Sequence, residues 1–514
     1  MSLVSASYLA FVLAALIVYY LLPGKARRWF LLIASIAFCA FCGFYTLFFV
    51  LLTAFTTFAG GLLAGRQGKK WQRNLACIVT VVLNLAIMCA VKFYGVMDLV
   101  AEDLNAFFRA SKGVNEFMLY LVPVGMSFYT LQMVGYVLDC AWDRIKPEKN
   151  IGRYLLFATY FPYITSGPMN TYAGLSAELD KSETAKFSLQ RLKEGAIRIA
   201  WGFFKKLVIA DRIAVIVNAA YGDHVTYTGL YTVIGVFCFA IQLYTDFSGC
   251  IDIVLGTSHL LGIELGENFN SPYLSRSIRE YWRRWHITLG SWLRDYLYYP
   301  VLKSAPLVKA GDAARKALGK KRGKKVPVYL GMLILWFSVG YWHGGMWTYI
   351  IGSGLLHCLY IVSGMLFEPL FEKVRGPLHS DKMPYKVFQI VRTFILVLLG
   401  FVFFRSATVA EGIDMFKAFV RPGGIAFNAE GIYSMGLDLA NIIVLAVSVV
   451  ILTAVDIYQY AEDDAAPHRS ALASVCSKPA VVSWAVFMVL VLAVLIFGRY
   501  GLGYDAGSFI YARI

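Results

Sequence analysis

Hydrophobic residues in this chain come in long runs, and polar residues come in short clusters between them. Nearly continuous apolar stretches cover residues 5–22, 29–65, 74–92, 119–138, 230–244, 328–365, 387–404, 437–455 and 481–497. A helix needs about 20 apolar residues to cross a bilayer, and with no water there to satisfy the backbone, helices suit such runs. The stretch 29–65, about 37 residues and almost uncharged, is too long for one crossing; it predicts a hairpin of two short helices broken near Gly43. Residues 328–365 predict two spans broken by a glycine-rich turn around His343. The pattern predicts an all-α polytopic integral membrane protein of roughly ten to twelve spanning or half-spanning helices. It reads as a single membrane domain over 1–514, with no internal repeat and no separate soluble domain.

The clusters between the runs are basic. Lys25, Arg27 and Arg28, then Arg66, Lys69, Lys70 and Arg73, then Arg144, Lys146, Lys149 and Arg153 predict cytoplasmic loops. Two basic loops on one side require an even number of crossings between them, which the hairpin supplies. Asp98, Glu102, Asp103 and Glu116 then fall in an external, acidic segment, and the amphipathic residues 182–198 lie along the cytoplasmic surface. Composition agrees: 59% of the residues are hydrophobic and 16% charged, against about 25% charged in ordinary globular chains. The net charge of +16 needs no nucleic-acid partner, because the lysines and arginines sit in inter-helix loops. The densest loop, 303–325, carries Lys309, Arg315, Lys316, Lys320, Lys321, Arg322 and Lys324 against Asp312, and predicts contact with anionic lipid. The nine cysteines lie mostly in apolar runs and predict buried thiols, Cys39 and Cys42 included. Residues 5–22 have no basic residue ahead and no small-residue cleavage site behind, so they predict a retained span. The expected location is the cell membrane, with multiple crossings.

Three stretches break the pattern. Residues 161–168 hold Pro162, Gly167 and Pro168 in apolar surroundings; broken backbone at membrane depth is tolerated only where protein or a water-filled cavity covers it. Asp246 and Asp252 follow the run 230–244, and such carboxylates predict a cavity or a basic partner, with Arg276, Arg279 or Arg283 as candidates. Residues 279–296 place Trp282, Trp285, Leu289, Trp292 and Tyr296 on one helical face. Arg276, Arg279, Glu280, Arg283 and Arg294 fall on another, which predicts an amphipathic helix lying flat in the headgroup layer.

His286 lies in that helix, and His343 lies in residues 340–347 (GYWHGGMW). Imidazole is the side chain that is both neutral and basic near pH 7. Moving an acyl group onto an alcohol needs a base for the hydroxyl proton and stabilisation of the developing oxyanion. His343 suits the base, with Gly344 and Gly345 allowing close approach and Trp342 and Trp347 walling the site against water. Arg283, Arg284 and Arg294 either pair with Glu280 and Asp295 or bind a phosphate such as that of coenzyme A or phosphopantetheine. The plainer alternatives are that His343 is a satisfied polar residue between helices and His286 an interfacial one. His357 is a minor candidate; His224, His259, His379 and His468 have no comparable setting. Nucleophile-elbow, phosphate-loop and His-Glu-x-x-His motifs are absent, which removes hydrolase, nucleotide-driven pump and metalloprotease readings. A proton-coupled transporter would show pseudo-symmetric halves with matching broken helices, and the breaks at 161–168 and His343 share no likeness.

Residues 280–286 (EYWRRWH) and 292–298 (WLRDYLY) resemble the first signature of the membrane-bound O-acyltransferases, and Trp342-His343-Gly344 resembles the second. Residues 122–129, 161–168, 204–211, 246–249, 267–273 and 403–405 are similar to the family's bacterial branch, as is the tail 509–511. The likeness is close over about residues 121–405. It implies a ring of tilted or broken helices around a central site, with His343 as general base and His286 beside it in substrate or oxyanion contact. Trp282, Arg283, Arg284, Trp285, Arg294, Asp295, Trp342, Gly344, Trp347 and Asp246 are candidate substrate or donor contacts. It also implies a cytosolic acyl thioester, acetyl-coenzyme A or an acyl carrier protein, as co-substrate, with no bound cofactor or metal. The acceptor implied is a hydroxyl of an extracytoplasmic polysaccharide, with acetyl as the group moved; the alternative is D-alanine moved to teichoic acid. Segment 303–325 is then also a candidate dock for an acidic carrier, and an external accessory transferase a candidate partner. After Pro300 the chain runs VLKSAP, where alginate-type members continue with Gly-Gly-Asn-Arg, a departure on the donor side.

Overall fold

The computed structural model describes residues 2–103, 123–375, 382–460 and 470–500. The acidic segment around Glu116, the start of the run 119–138, His379, His468 and the C-terminal tail lie outside the described residues. Among those described, the only β pairing is an isolated antiparallel bridge between Phe269 and Trp285. Among the described residues, eight helices are long and apolar enough to cross a membrane: Phe44–Ala64, Lys70–Lys92, Leu230–Leu260, Val326–Gly344, Trp347–Leu366, Met383–Arg405, Leu439–Gln459 and Ala480–Phe497, with a shorter apolar helix at Ala6–Leu21. The chain is an all-α polytopic membrane protein. It divides into two compact units: Met1–Val208 with Asp246–Glu267 and Leu472–Ile514, and Ile209–Thr245 with Asn268–Ala471.

In the first unit the expected hairpin is Gly24–Cys42 and Phe44–Ala64, with Gly43 between them at φ 129°, a backbone that suits glycine and strains other residues. Arg28 and Arg153 both pair with Asp180, Arg28 at 2.6 Å, and Arg73 pairs with Asp143 at 2.5 Å. The basic clusters at 25–28, 66–73 and 144–153 therefore meet along one edge, as the even crossing count requires. Residues 161–168 form turns between helices Ile151–Thr159 and Tyr172–Asp180 and are buried. Phe161 N donates to Ser35 Oγ at 3.1 Å, so this broken backbone is covered by protein. Two buried tyrosines of the same unit have their hydroxyls bonded: Tyr8 donates to Thr257 Oγ1 at 3.2 Å and Tyr19 to Leu261 O at 3.0 Å.

The carboxylate reading needs correction. Asp246 and Asp252 do not follow a finished run, because helix Leu230–Leu260 continues through both. Asp246 takes Lys206 at 2.6 Å, and Asp252 takes Lys205 at 2.6 Å and Arg198 at 3.1 Å, where the sequence alone points to Arg276, Arg279 or Arg283. Close helix approach is the reason. A Cβ on Gly202 would lie 2.6 Å from Gly249 O, and one on Gly249 2.8 Å from Gly202 O. That contact lays the π-helical segment Phe204–Ala210, with its two lysines, against the carboxylates.

The second unit holds a three-helix crossing. A Cβ on Gly340 would lie 2.5 Å from Ile350 Cα, and one on Gly352 would lie 2.6 Å from Gly400 O. Small residues thus let Val326–Gly344 and Met383–Arg405 pack directly on Trp347–Leu366. The segment 303–325 is not a loop: Ala305–Gly323 is helical, with Pro306 in its first turn and Gly319 at φ 79° interrupting it. Its lysines and arginines are mostly exposed.

Candidate active site

The stretch 279–296 is not one helix. Ile278–Arg284 starts at Ser277, whose Oγ accepts from Glu280 N at 3.1 Å, while Glu280 Oε2 accepts from Arg276 N at 2.9 Å, close to a capping box. Trp285 then turns extended (φ −104°, ψ 127°) and bridges to Phe269. Asn270 N donates to Arg284 O at 3.0 Å, and Ile287 N donates to Asn268 O at 3.1 Å. This pairing with residues 268–270 replaces helical hydrogen bonds and ends the helix. His286 follows in the left-handed region (φ 47°, ψ 51°), and Ile287–Leu293 begins after it. The flat headgroup-layer helix is therefore corrected to two short helices joined at His286, with Trp285, Leu289 and Leu293 buried in protein.

His343 lies near the end of helix Val326–Gly344, just before Gly345 turns the chain at φ 73°. Its Nδ1 lies 2.8 Å from Val339 O and 3.2 Å from Ser353 Oγ, and Ser353 Oγ donates to Tyr349 O at 2.8 Å. A carbonyl only accepts, so Nδ1 carries the proton and Nε2 carries the lone pair. His286 Nδ1 lies 3.2 Å from Asn268 Oδ1, which also accepts from Thr288 N at 3.1 Å and Thr288 Oγ1 at 2.9 Å. The Trp342 ring is 5.9 Å from that of His286 and 5.1 Å from that of His343, and the Phe404 ring is 5.5 Å from His343. Both histidines are 1% exposed. Burial first, then the neighbouring His343, push the His286 imidazole well below its ordinary pKa, which keeps it neutral.

His286, Trp342 and His343 thus come together, and the other candidates make the following contacts of their own. Trp282 Nε1 donates to His357 Nδ1 at 3.1 Å and its ring meets Trp336 edge-on at 4.8 Å. Trp285 stacks on Tyr281 at 5.7 Å. Arg284 is buried, pairs with Glu280 at 2.9 Å and lies over the Tyr460 ring at 4.6 Å. The same segment is tied by Ser271 Oγ donating to Asp456 O at 2.9 Å, with Tyr244 donating to Asp456 Oδ1 at 2.9 Å. Arg283 is exposed, and Arg294 pairs with Asp295 at 3.0 Å on a π-helical turn. Gly344 is a packing position, since a Cβ there would lie 2.4 Å from the Tyr349 ring; Trp347 is 56% exposed. Asp246 belongs to the first unit, on Lys206. Asn268 and Ser353 escape sequence reasoning as site residues, although 267–273 stands out there as a motif. Among the described residues no three of His, Cys, Asp and Glu converge as metal ligands would.

The sequence model described as the membrane-bound O-acyltransferase family matches residues 143–311. The probable alginate O-acetylase of Pseudomonas syringae pv. tomato is 30% identical over 472 residues, covering 90% of this chain and 84% of the relative. The peptidoglycan O-acetyltransferase of Helicobacter pylori is 26% identical over 378 residues, 69% of this chain and 66% of its own. The teichoic acid D-alanyltransferase of Bacillus subtilis is 28% identical over 285 residues, 55% and 68% respectively. With apolar helices that fit a multi-pass membrane location and a relative that similar along most of both chains, the chain belongs to the membrane-bound O-acyltransferase family.

Proposed function

We propose that this membrane O-acyltransferase moves an acetyl group from a cytosolic thioester, acetyl-coenzyme A or an acyl carrier protein, to hydroxyls of an extracytoplasmic polysaccharide, with His343 as general base. The observation that carries the reading is the hydrogen bond from His343 Nδ1 to Val339 O, which makes Nε2 the basic nitrogen in a buried site. The acceptor oxygen attacks the thioester carbonyl carbon as its proton passes to Nε2. A C–O bond forms and negative charge collects on the carbonyl oxygen. Collapse breaks the C–S bond, and the imidazolium returns the proton to the departing sulfur, leaving ester and thiol. Val339 O accepts from Nδ1 throughout and stabilises the intermediate cation. His286, across Trp342, contacts the substrate.

The polysaccharide reading is supported by the extent of the likeness to the alginate-type relative, 90% of this chain against 55% for the D-alanyltransferase. The exposed basic helix Ala305–Gly323 favours a second reading, D-alanine brought by an acidic carrier protein, and equally suits anionic lipid. An external accessory transferase completes the transfer in either case if the polymer does not reach this chain.

The test is an ester analysis of surface polymer from cells with the wild-type chain, with none, and with His343→Ala at matched membrane abundance. Acetate lost equally in the deletion and in His343→Ala is the expected result, a fall of about 10²–10⁴-fold. Loss of D-alanine instead moves the protein to the second reading. Full ester content in His343→Ala overturns the base assignment.

A further inference from the structure

Residues 267–273 (ENFNSPY) form a motif that the reaction just described does not use. We propose that Asn268 is a positioning residue for acyl transfer, fixing His286 as its Nδ1–H tautomer so that Nε2 of His286 accepts a hydrogen bond from a substrate O–H or N–H. The proposal rests on His286 and His343 forming the reaction site.

The orientation of the Asn268 amide follows from its neighbours. Thr288 N, 3.1 Å away, is a backbone amide and only donates, so the atom facing it is Oδ1. Thr288 Oγ1 donates to the same oxygen at 2.9 Å. Turning the amide over would set Nδ2 against a backbone N–H. His286 Nδ1, 3.2 Å from that oxygen, therefore faces an acceptor and carries the proton. A neutral imidazole then has its lone pair on Nε2.

Asn268 also holds the backbone of the residue it orients. Its carbonyl accepts from Ile287 N at 3.1 Å, and the next residue, Phe269, bridges to Trp285. His286 is held between these contacts at φ 47°, a conformation uncommon outside glycine that asparagine, aspartate and histidine enter more readily than other residues. Ring and main chain are set by one side chain and one carbonyl of the same residue.

The consequence is chemical. His343 also has its proton on Nδ1, so the two imidazoles present like nitrogens, both acceptors. A neutral His286 cannot give a hydrogen bond from Nε2 to the thioester carbonyl or its oxyanion. Its ligand is a hydrogen donor: a second hydroxyl on the acceptor glycan, or an amide N–H on the donor's thioester arm. Asn268 makes His286 a reader of substrate donors and leaves proton removal to His343.

The experiment pairs ¹⁵N-histidine spectra of the full chain in nanodiscs with surface ester content in cells. The His286 signal is assigned by its loss in His286→Gln. The wild type is expected to show His286 protonated at Nδ1 and bare at Nε2. Asn268→Asp, which keeps an oxygen facing Thr288 N and His286 Nδ1, is expected to keep that tautomer and at least about a third of the ester content. Asn268→Ala is expected to lose the tautomer preference and to lower ester content about 10–100-fold at matched folded abundance, as loss of an orienting partner does at other sites. Thr288→Val removes one anchor of the amide oxygen without touching Asn268, and is expected to give a smaller loss of the same kind should Asn268→Ala fold poorly. With acetyl-coenzyme A and an oligosaccharide as probes, a raised KM for the oligosaccharide in Thr288→Val assigns the donor to the glycan, and a raised KM for acetyl-coenzyme A assigns it to the thioester arm. A wild-type His286 protonated at Nε2 overturns the proposal. So does an Asn268→Ala enzyme of full activity beside an inactive His343→Ala, which leaves the base assignment standing. Full ester content in His343→Ala removes the reaction site itself and this proposal with it.

Discussion

Lys206 and Asp246 lie in the first unit, almost wholly buried, and meet as opposite charges at 2.6 Å. His286 and His343 lie in the second unit, just as deeply buried, and are held by acceptors without charge, Asn268 Oδ1 and Val339 O. Both arrangements satisfy the rule that buried polar groups need partners, and they do so to different ends. A buried ion pair locks, because taking the lysine's proton, adding one to the aspartate, or removing either partner strands a charge. An imidazole bonded to a neutral acceptor keeps its second nitrogen basic, and taking up a proton there only strengthens the first hydrogen bond. The paired charges suit a brace, and the neutrally held histidines each keep a nitrogen that can accept, a proton at His343 and a substrate hydrogen bond at His286.

The sharpest way to break this comparison is to strand a charge. Lys206→Met is expected to destabilise the protein by about 3–5 kcal/mol, read by thermal unfolding in detergent, and Lys206→Met with Asp246→Leu to recover most of that. A single variant as stable as wild type would mean that the pair is not a brace. A smaller effect is expected from Ser353→Ala. It removes a neutral hydroxyl 3.2 Å from His343 Nδ1 but leaves Val339 O in place. Activity should fall by no more than about tenfold, the scale of one neutral hydrogen bond, with unfolding unchanged; a loss of a hundredfold would shift the orienting role from the carbonyl to the serine.

The smallest effect is expected at Glu148, a carboxylate in a loop. Burial raises its pKa, but the Tyr172 hydroxyl at 2.5 Å, the Asn150 and Lys149 amides and Arg153 together outweigh it and hold it below 4.5. With the folded pKa depressed, its contribution is complete above the unfolded value and is lost as pH falls through the folded one. Glu148→Gln should therefore cost less than about 1 kcal/mol near neutrality and make stability less steep below pH 4.5. An unchanged acid profile would show that these contacts do not act on the carboxylate's charge.

Local signals carried much of this fold into the sequence. The hairpin at Gly43, the broken stretch 161–168 and the turn after His343 are each announced by glycine or proline in an apolar run, which speak directly to backbone freedom. The break at His286 is not announced, because residues 279–296 hold good helical spacing and no proline; it comes from pairing with residues 268–270, which periodicity does not see. Lys206 was invisible as the partner of Asp246 for the same reason, since the two are joined by a helix crossing at Gly202 and Gly249. The helix at 305–323 had a signal, Ser304 followed by Pro306 at a helix start, which its basic composition obscured. The pairing of His286 with His343 was legible only through the family resemblance.

The contacts on Asp456 and Tyr460 carry a consequence for how the enzyme is made. A ribosome releases both histidines well before it delivers helix Leu439–Gln459. Until that helix enters the membrane, Ser271 lacks the carbonyl it donates to, Tyr244 lacks its carboxylate, and Arg284 lacks the ring it lies against. The segment that sets His286 is thus among the last to be pinned. An unfinished chain therefore carries both histidines while these three contacts are still missing, and the segment around His286 gains its last braces only when that helix arrives.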